Sequence, residues 1–286
     1  MVRLSPGILV SSHNVLRKMK EHESYDIMTQ YARSRSIDGT KTVDVVDTIR
    51  ACEWILVIGG TARLSPRGVQ IANSFDNITK RLMIGDYIRS STESWISLIP
   101  RGRKECVQYF PPDVQACLKG AGLLVTPVPD DVVLWWDQQS QAIRKEQELS
   151  ALETGRIGEK LTLEYERERT GVEPVWKSIE SNLAGYDVLS IVKRNNTARL
   201  PIEVKTSEKS IAVAEAYITR REWEVAVEAA NHGFYFWHID GSQRRLAVLS
   251  VADLTQHIPL DEGEGLWQNA AIPFEVFSDR FMLLNN

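Results

Sequence analysis

In Ile202-Glu203-Val204-Lys205 apolar and charged residues alternate strictly, a period of two that a helix scatters around its axis and a strand sorts onto two faces. Glu203 and Lys205 therefore project from one face, while Ile202 and Val204 enter a core. Upstream, Gly185-Tyr186-Asp187 precedes the apolar run Val188 to Val192. That run and Ile202 to Thr206 read as two antiparallel strands joined by the polar segment Lys193 to Arg199, where Asn195-Asn196 is turn chemistry. Such a hairpin brings Asp187 beside Glu203. Two neighbouring carboxylates repel, and a divalent cation between them keeps both ionised. The cation would polarise a phosphodiester oxygen and activate water, with Lys205 positioning that water or stabilising the developing charge. The same alternation also describes a half-exposed strand with no catalytic role.

The surroundings narrow the choice. A helical pattern runs from about Ile143 to Arg169 and carries Glu159, and a short strand around Val175 to Ser178 leads into the hairpin. A helix from Arg220 to about Ala230 follows, then the aromatic strand Phe234-Tyr235-Phe236-Trp237, whose lack of charge suits a buried central position. Helix, three strands, helix, strand is a compact α/β unit. Its distinctive words are Ile157-Gly158-Glu159, Gly185-Tyr186-Asp187, Ile202-Glu203-Val204-Lys205-Thr206, and Thr219 with Glu222 and Ala226. Over roughly residues 145 to 240 these resemble the domain family named after the plant protein NO VEIN (its C-terminal domain), which is similar to the PD-(D/E)XK nuclease superfamily.

The resemblance implies that Asp187, Glu203 and Lys205 fall on metal-binding and catalytic positions, with Glu159 as an additional acidic metal ligand from the first helix. It implies Mg2+ or Mn2+ as cofactor, DNA as substrate, endonuclease activity, and a restriction or anti-phage defence setting. A homodimer and a separate ATPase or helicase subunit are the protein partners such a setting brings. The same fold is also retained in inactive nucleic-acid-binding or assembly domains, and that alternative stays open.

Thr219-Arg220-Arg221-Glu222 has the spacing of a capping box; a capped Glu222 could still face the metal. Arg220 and Arg221 lie in a first turn, where the helix dipole disfavours cations. Either a phosphate partner offsets this or the face is simply solvated. Tyr186 reads as a core aromatic or as a platform for a nucleobase.

The first half is organised differently. Val15 to Ala32 reads as a helix and Asp38-Gly39 as a turn. Thr42 reads as the cap of a second helix through Cys52, with Val43, Val46, Ile49 and Cys52 on one face. Trp54 to Ile58, Gly59-Gly60 and Thr61 to Leu64 form a tight hairpin, and Ser65-Pro66 opens a helix. This order, with Glu53-Trp54-Ile55 and Leu64-Ser65-Pro66-Arg67-Gly68, resembles a winged-helix domain and leaves a transcription regulator as a third reading. The helix before the wing carries Asp44, Asp47 and Arg50, poor chemistry for phosphates, so DNA contact and protein contact stay balanced. Arg101, Arg103 and Lys104 form the main basic cluster here, in a region read as a solvated loop. Pro111-Pro112-Asp113 and Gly120-Ala121-Gly122 bound a further helix. Thr126 to Asp131, with two prolines, reads as the linker between a mostly helical domain, residues 1–130, and a nuclease-like domain, residues 136–286. A strand near Leu246 to Leu249 and the segment Pro273 to Phe277 close the chain.

Composition sets limits. The net charge of −4 excludes a polybasic nucleic-acid binder but not a local basic groove. Cys52, Cys106 and Cys117 lack CxxC spacing and fit a reducing cytoplasm. No apolar run is long enough to span a membrane. There is no GxxxxGK[ST] loop, so ATP hydrolysis would need a partner, and no HExxH or GxSxG motif.

Overall fold

The computed structural model describes residues 3–21, 27, 35–59, 61–180, 184–261 and 266–284. The chain packs as two compact units, Met1–Gln147 and Glu148–Asn286.

The first unit opens with α1 (Pro6–Glu21). Ser5 Oγ accepts from the Ile8 amide at 3.3 Å and Pro6 takes the first turn, a cap that starts the helix well before Val15. Residues 22–26 and 28–32 of the expected helix lie outside the described residues. Strands β1 (Ser36–Ile37) and β2 (Thr40–Lys41) pair through Asp38 and Gly39, both at positive φ, 48° and 78°, as a two-residue hairpin turn demands. In α2 (Thr42–Ala51) the expected Thr42 cap is absent: its Oγ1 is buried without a hydrogen-bond partner. Of the expected face, Val46, Ile49 and Cys52 are buried, while Val43 is 40% exposed and Val45 is buried in its stead.

Strands β3 (Ile55–Ile58) and β4 (Thr61–Leu64) form the expected hairpin with Gly59 at φ 59°; Gly60 lies outside the described residues. Ser65 caps α3 (Pro66–Asn73), its Oγ accepting from the Gly68 amide at 3.0 Å. Then come α4 (Asp76–Ser90), a 3-10 segment (Ser94–Arg101), α5 (Arg103–Val107) and α6 (Pro112–Gly120). The basic cluster is therefore helical, not a loop. Arg103 Nη1 donates to the Leu123 and Val125 carbonyls at 3.2 and 3.1 Å.

Helix α7 (Asp130–Thr170) starts inside the expected linker. Val132, Trp135, Trp136 and Ile143 are buried in the first unit's core, so that unit runs on to Gln147 instead of ending near residue 130. Pro129 launches a helix, its carbonyl accepting from the Val132 and Val133 amides at 3.0 and 3.1 Å.

The second unit is mixed α/β. Strands β5 (Val175–Trp176), β6 (Val188–Lys193), β7 (Asn196–Ser207), β9 (Gly233–Asp240), β10 (Gln243–Ser250) and β12 (Met282–Leu284) form one sheet in the order β12-β10-β9-β7-β6-β5. Neighbours are antiparallel except β7 and β9, which run parallel. A one-turn helix α8 (Lys177–Glu180) replaces the end of the expected strand after Trp176. Strand β8 (Glu215–Thr219) pairs with β11 (Asn269–Pro273), and α9 (Arg220–Glu228) and α10 (Val251–Thr255) complete the unit. The hairpin turn is tighter than expected. Lys193 pairs with Asn196, leaving Arg194 and Asn195 as the turn, while the polar residues through Arg199 continue the strand.

Each face of the sheet is covered. Ile202, Val204, Tyr235 and Trp237 pack with Leu161 of α7. Phe234 and Phe236 pack on the opposite side with Ala226 of α9, Ile218 of β8, and Phe274 and Phe277 near the chain's end. Because Glu203 and Lys205 register with Phe234 and Phe236, the charged pair shares the α9 side.

Candidate active site

The hairpin delivers Asp187 to β7 as its registration requires. The Asp187 amide donates to the Ile202 carbonyl at 3.0 Å, and Asp187 Oδ2 accepts from the Val204 amide at 2.9 Å. Val188 pairs with Ile202, so alternation places Asp187 on the same face as Glu203. Gly185 lets the chain enter this strand: its φ is +73°, and a Cβ there would stand 2.7 Å from Val225 Cγ2 of α9.

Glu203 is 3% exposed, and its Oε1 lies 2.8 Å from Lys205 Nζ. The same ammonium donates to Glu222 Oε1 and Oε2, each at 3.1 Å. Glu222 does two jobs at once. It completes the expected capping box on α9, accepting from the Thr219 amide at 2.7 Å while Thr219 Oγ1 accepts from the Glu222 amide at 3.2 Å, and it holds Lys205. Its i, i+3 spacing from Thr219 was the signal, and the second role was not readable without the fold.

The electrostatics follow from burial. Desolvation pushes Asp187 up to about 6, with the charge of Glu159 adding to it. Burial likewise drives Glu203 well above the usual carboxylate range despite the pull of Lys205. Lys205 is also buried, yet the charges of Glu203 and Glu222 overcome that penalty and raise its pKa. In Glu222 burial acts upward, but Lys205 and the Thr219 amide together hold its pKa below normal.

Glu159 belongs to the helix covering the opposite face. Its Oε2 accepts from Arg156 Nη1 at 2.7 Å and also from Trp176 Nε1 and Ser178 Oγ. One of its oxygens is thus committed to tying α7 to β5 and α8. Gly158 explains the approach of that helix: a Cβ there would lie 1.8 Å from Thr206 Oγ1. Further along α7, Glu166, fully buried, accepts from Arg169 at 2.8 and 2.6 Å, from Ser190 Oγ at 2.5 Å and from Tyr235 Oη at 2.7 Å. Sequence reading passed over this network, whose local sign is the i, i+3 spacing of Glu166 and Arg169.

Of the flanking candidates, Arg220 is engaged by Asp261 at 2.6 and 2.9 Å and lies over the Trp267 ring, whereas Arg221 is exposed. Tyr186 is half-buried. Among the described residues no three His, Cys, Asp or Glu side chains converge as a ready ligand set, and no helix is long and apolar enough to cross a membrane.

No curated protein and no solved structure matches the chain. Residues 158–248, from Gly158 through the end of the site into β10 and about a third of the chain, match the model of the family described as Protein NO VEIN, C-terminal.

Proposed function

We propose that the second unit is a magnesium-dependent DNA endonuclease of the PD-(D/E)XK type, acting in restriction or anti-phage defence. The observation that carries this is the pairing of Glu203 and Glu222 with the ammonium of Lys205, with Asp187 on the same face of the sheet and near enough to feel the charges of Lys205 and Glu222. Three carboxylates against one cation leave an excess of negative charge that a divalent ion would neutralise. The donors are hard oxygens, which suit Mg2+ or Mn2+. Asp187 would hold the ion through Oδ1, since Oδ2 serves the Val204 amide, and Glu203 through the oxygen not paired with Lys205. Glu159 stands behind Asp187 as a further negative charge. Magnesium commonly takes only one or two protein carboxylates and fills its remaining positions with water and substrate phosphate.

A bound ion would supply Lewis acidity toward the phosphodiester and toward its attacking water. The chain's own residues do the rest. Lys205, oriented by Glu203 and Glu222, stabilises charge building on the phosphate oxygens. Asp187 loses its proton near pH 6 and so is available as a ligand at neutral pH. In the first unit, the exposed run Leu56, Val57 and Ile58 on β3, with Asp44 and Asp47 on α2, favours protein contact over phosphate contact.

A second reading, a non-cleaving nucleic-acid-binding or assembly domain, draws on the burial of Glu203 and its direct pairing with Lys205. The two part company in one assay. Modified and unmodified plasmid DNA is incubated with the full chain and Mg2+, Mn2+ or EDTA. Metal-dependent nicking or linearisation supports the endonuclease, and DNA binding without cleavage in either metal supports the second reading.

A further inference from the structure

The first turn of α9 carries Arg220, a cation where the helix dipole disfavours one, and protein carboxylates offset that cost. Arg220 Nη1 and Nη2 donate to the two carboxylate oxygens of Asp261 at 2.6 and 2.9 Å, and its Nε donates to Glu224 Oε1, one turn on, at 3.0 Å. The guanidinium lies over the Trp267 ring, 5.5 Å from its centroid. The Arg220 amide donates to the Gln268 carbonyl at 2.9 Å, and Asp261 Oδ1 accepts from the Trp267 amide at 3.3 Å. Asp261, Trp267 and Gln268, which lie ahead of β11, are thus fastened to a single residue of α9. A lone exposed ion pair contributes little, whereas a bidentate fork inside a network of charges holds its geometry.

The helix needs such a fastening. Of the nine described residues of α9, Ala226 alone is buried, and a helix this short takes its stability from packing. Its first turn also carries the capping box through which Glu222 is seated, and both oxygens of Glu222 accept from Lys205 Nζ at 3.1 Å. Arg220 and Glu222 are two residues apart and so point to different sides of the helix. Arg220 therefore reaches the site only through the turn that the two share.

We propose that Arg220 is a positioning residue: by clamping Asp261 and Trp267 it fixes the first turn of α9, hence Glu222, and hence the ammonium of Lys205. Its charge is spent inside the protein and not on the DNA backbone. The clamp needs neither metal nor DNA, and only its consequence for cleavage rests on the endonuclease reading.

The test uses the full chain with 15N-labelled lysine, free of metal and DNA, and follows the Lys205 ammonium by NMR. That signal is seen only while its protons are held in hydrogen bonds, and it is assigned by its loss in Lys205→Arg. In Arg220→Gln and Asp261→Asn alike, each checked by thermal unfolding to be folded, the signal is expected to broaden beyond detection. In plasmid cleavage the same variants are expected to lower kcat about tenfold with KM within about twofold, and the double variant to be no slower than either single one. A chain that does not cleave would end the endonuclease reading and leave the ammonium signal to decide the clamp. A Lys205 signal undisturbed in folded Arg220→Gln, or missing from the wild type, overturns the proposal. So does a KM raised about fivefold or more in Arg220→Gln but not in Asp261→Asn, the mark of a phosphate contact.

Discussion

Lys205 is the residue on which the site's balance turns, because it is the counter-charge to two carboxylates, one of them almost fully buried. Removing one member of a buried pair strands the others, at a cost of about 3–5 kcal/mol. Lys205→Ala is therefore expected to lower stability in urea unfolding as well as to slow any cleavage by about 10²-fold; an unaltered unfolding midpoint would mean that the ammonium is not holding the acids. Asp187 carries the opposite sign. Its carboxyl titrates near 6 in the folded chain against an ordinary value of 3.8, so the native state binds the proton more tightly. Stability is thus present below about pH 4 and lost as pH rises through about 6, by roughly 3 kcal/mol if Asp187 titrates alone. Asp187→Asn should gain on the wild type across that window. Parallel stability curves from pH 4 to 7 would refute the assignment.

Among the secondary elements, two glycines explain words in the sequence that carry no chemistry. Gly158 allows α7 to lie on β7 because any Cβ would collide with Thr206 Oγ1, itself buried and unpartnered. Gly158→Ala should cost about 1–3 kcal/mol by overpacking. Adding Thr206→Ala should recover most of that in thermal denaturation; strict additivity of the two changes would show that they do not meet. Much of the element pattern was legible: the alternation at Ile202 to Lys205, the aromatic strand, the capping box at Thr219 and the Ser65-Pro66 helix start all appear as read. The misses have local causes. Ser5-Pro6 bears the same signal as Ser65-Pro66, yet the expected helix began only at Val15. Thr42 sits one residue inside its helix, after the cap position. Asn196 to Arg199 look like a loop by polarity, yet β6 pairs with them and satisfies their backbone.

For the whole molecule, the division into units was harder to read than the site. A pair of prolines resembles a spacer, but the fate of Thr126 to Asp131 is set by Val132, Trp135, Trp136 and Ile143, whose burial in the first core depends on contacts distant in sequence. A fragment of residues 1–147 should therefore unfold cooperatively, whereas residues 1–130, stripped of both tryptophans, should not; a cooperative melt from the shorter fragment would contradict this. Residues 148–286 contain all of Glu159, Asp187, Glu203, Lys205 and Glu222 and should fold alone. The proximity of Asp187 to Glu203 was readable from the hairpin. What the sequence hid was the part of Glu222, which reaches Lys205 from a different element, and the engagement of Glu159 by Arg156, Trp176 and Ser178.

Whether the carboxylates around Lys205 hold a divalent cation is settled most directly by titrating Mn2+ into the full chain, followed by electron paramagnetic resonance of the free ion and by calorimetry at pH 5.5 and 7.5. The expected result is one ion bound at the higher pH, weaker binding at pH 5.5 as Asp187 takes up its proton, and loss of that ion in folded Asp187→Asn and Glu203→Gln chains. An ion bound equally well by both variants, or none bound by the wild-type chain at millimolar Mn2+, would contradict it.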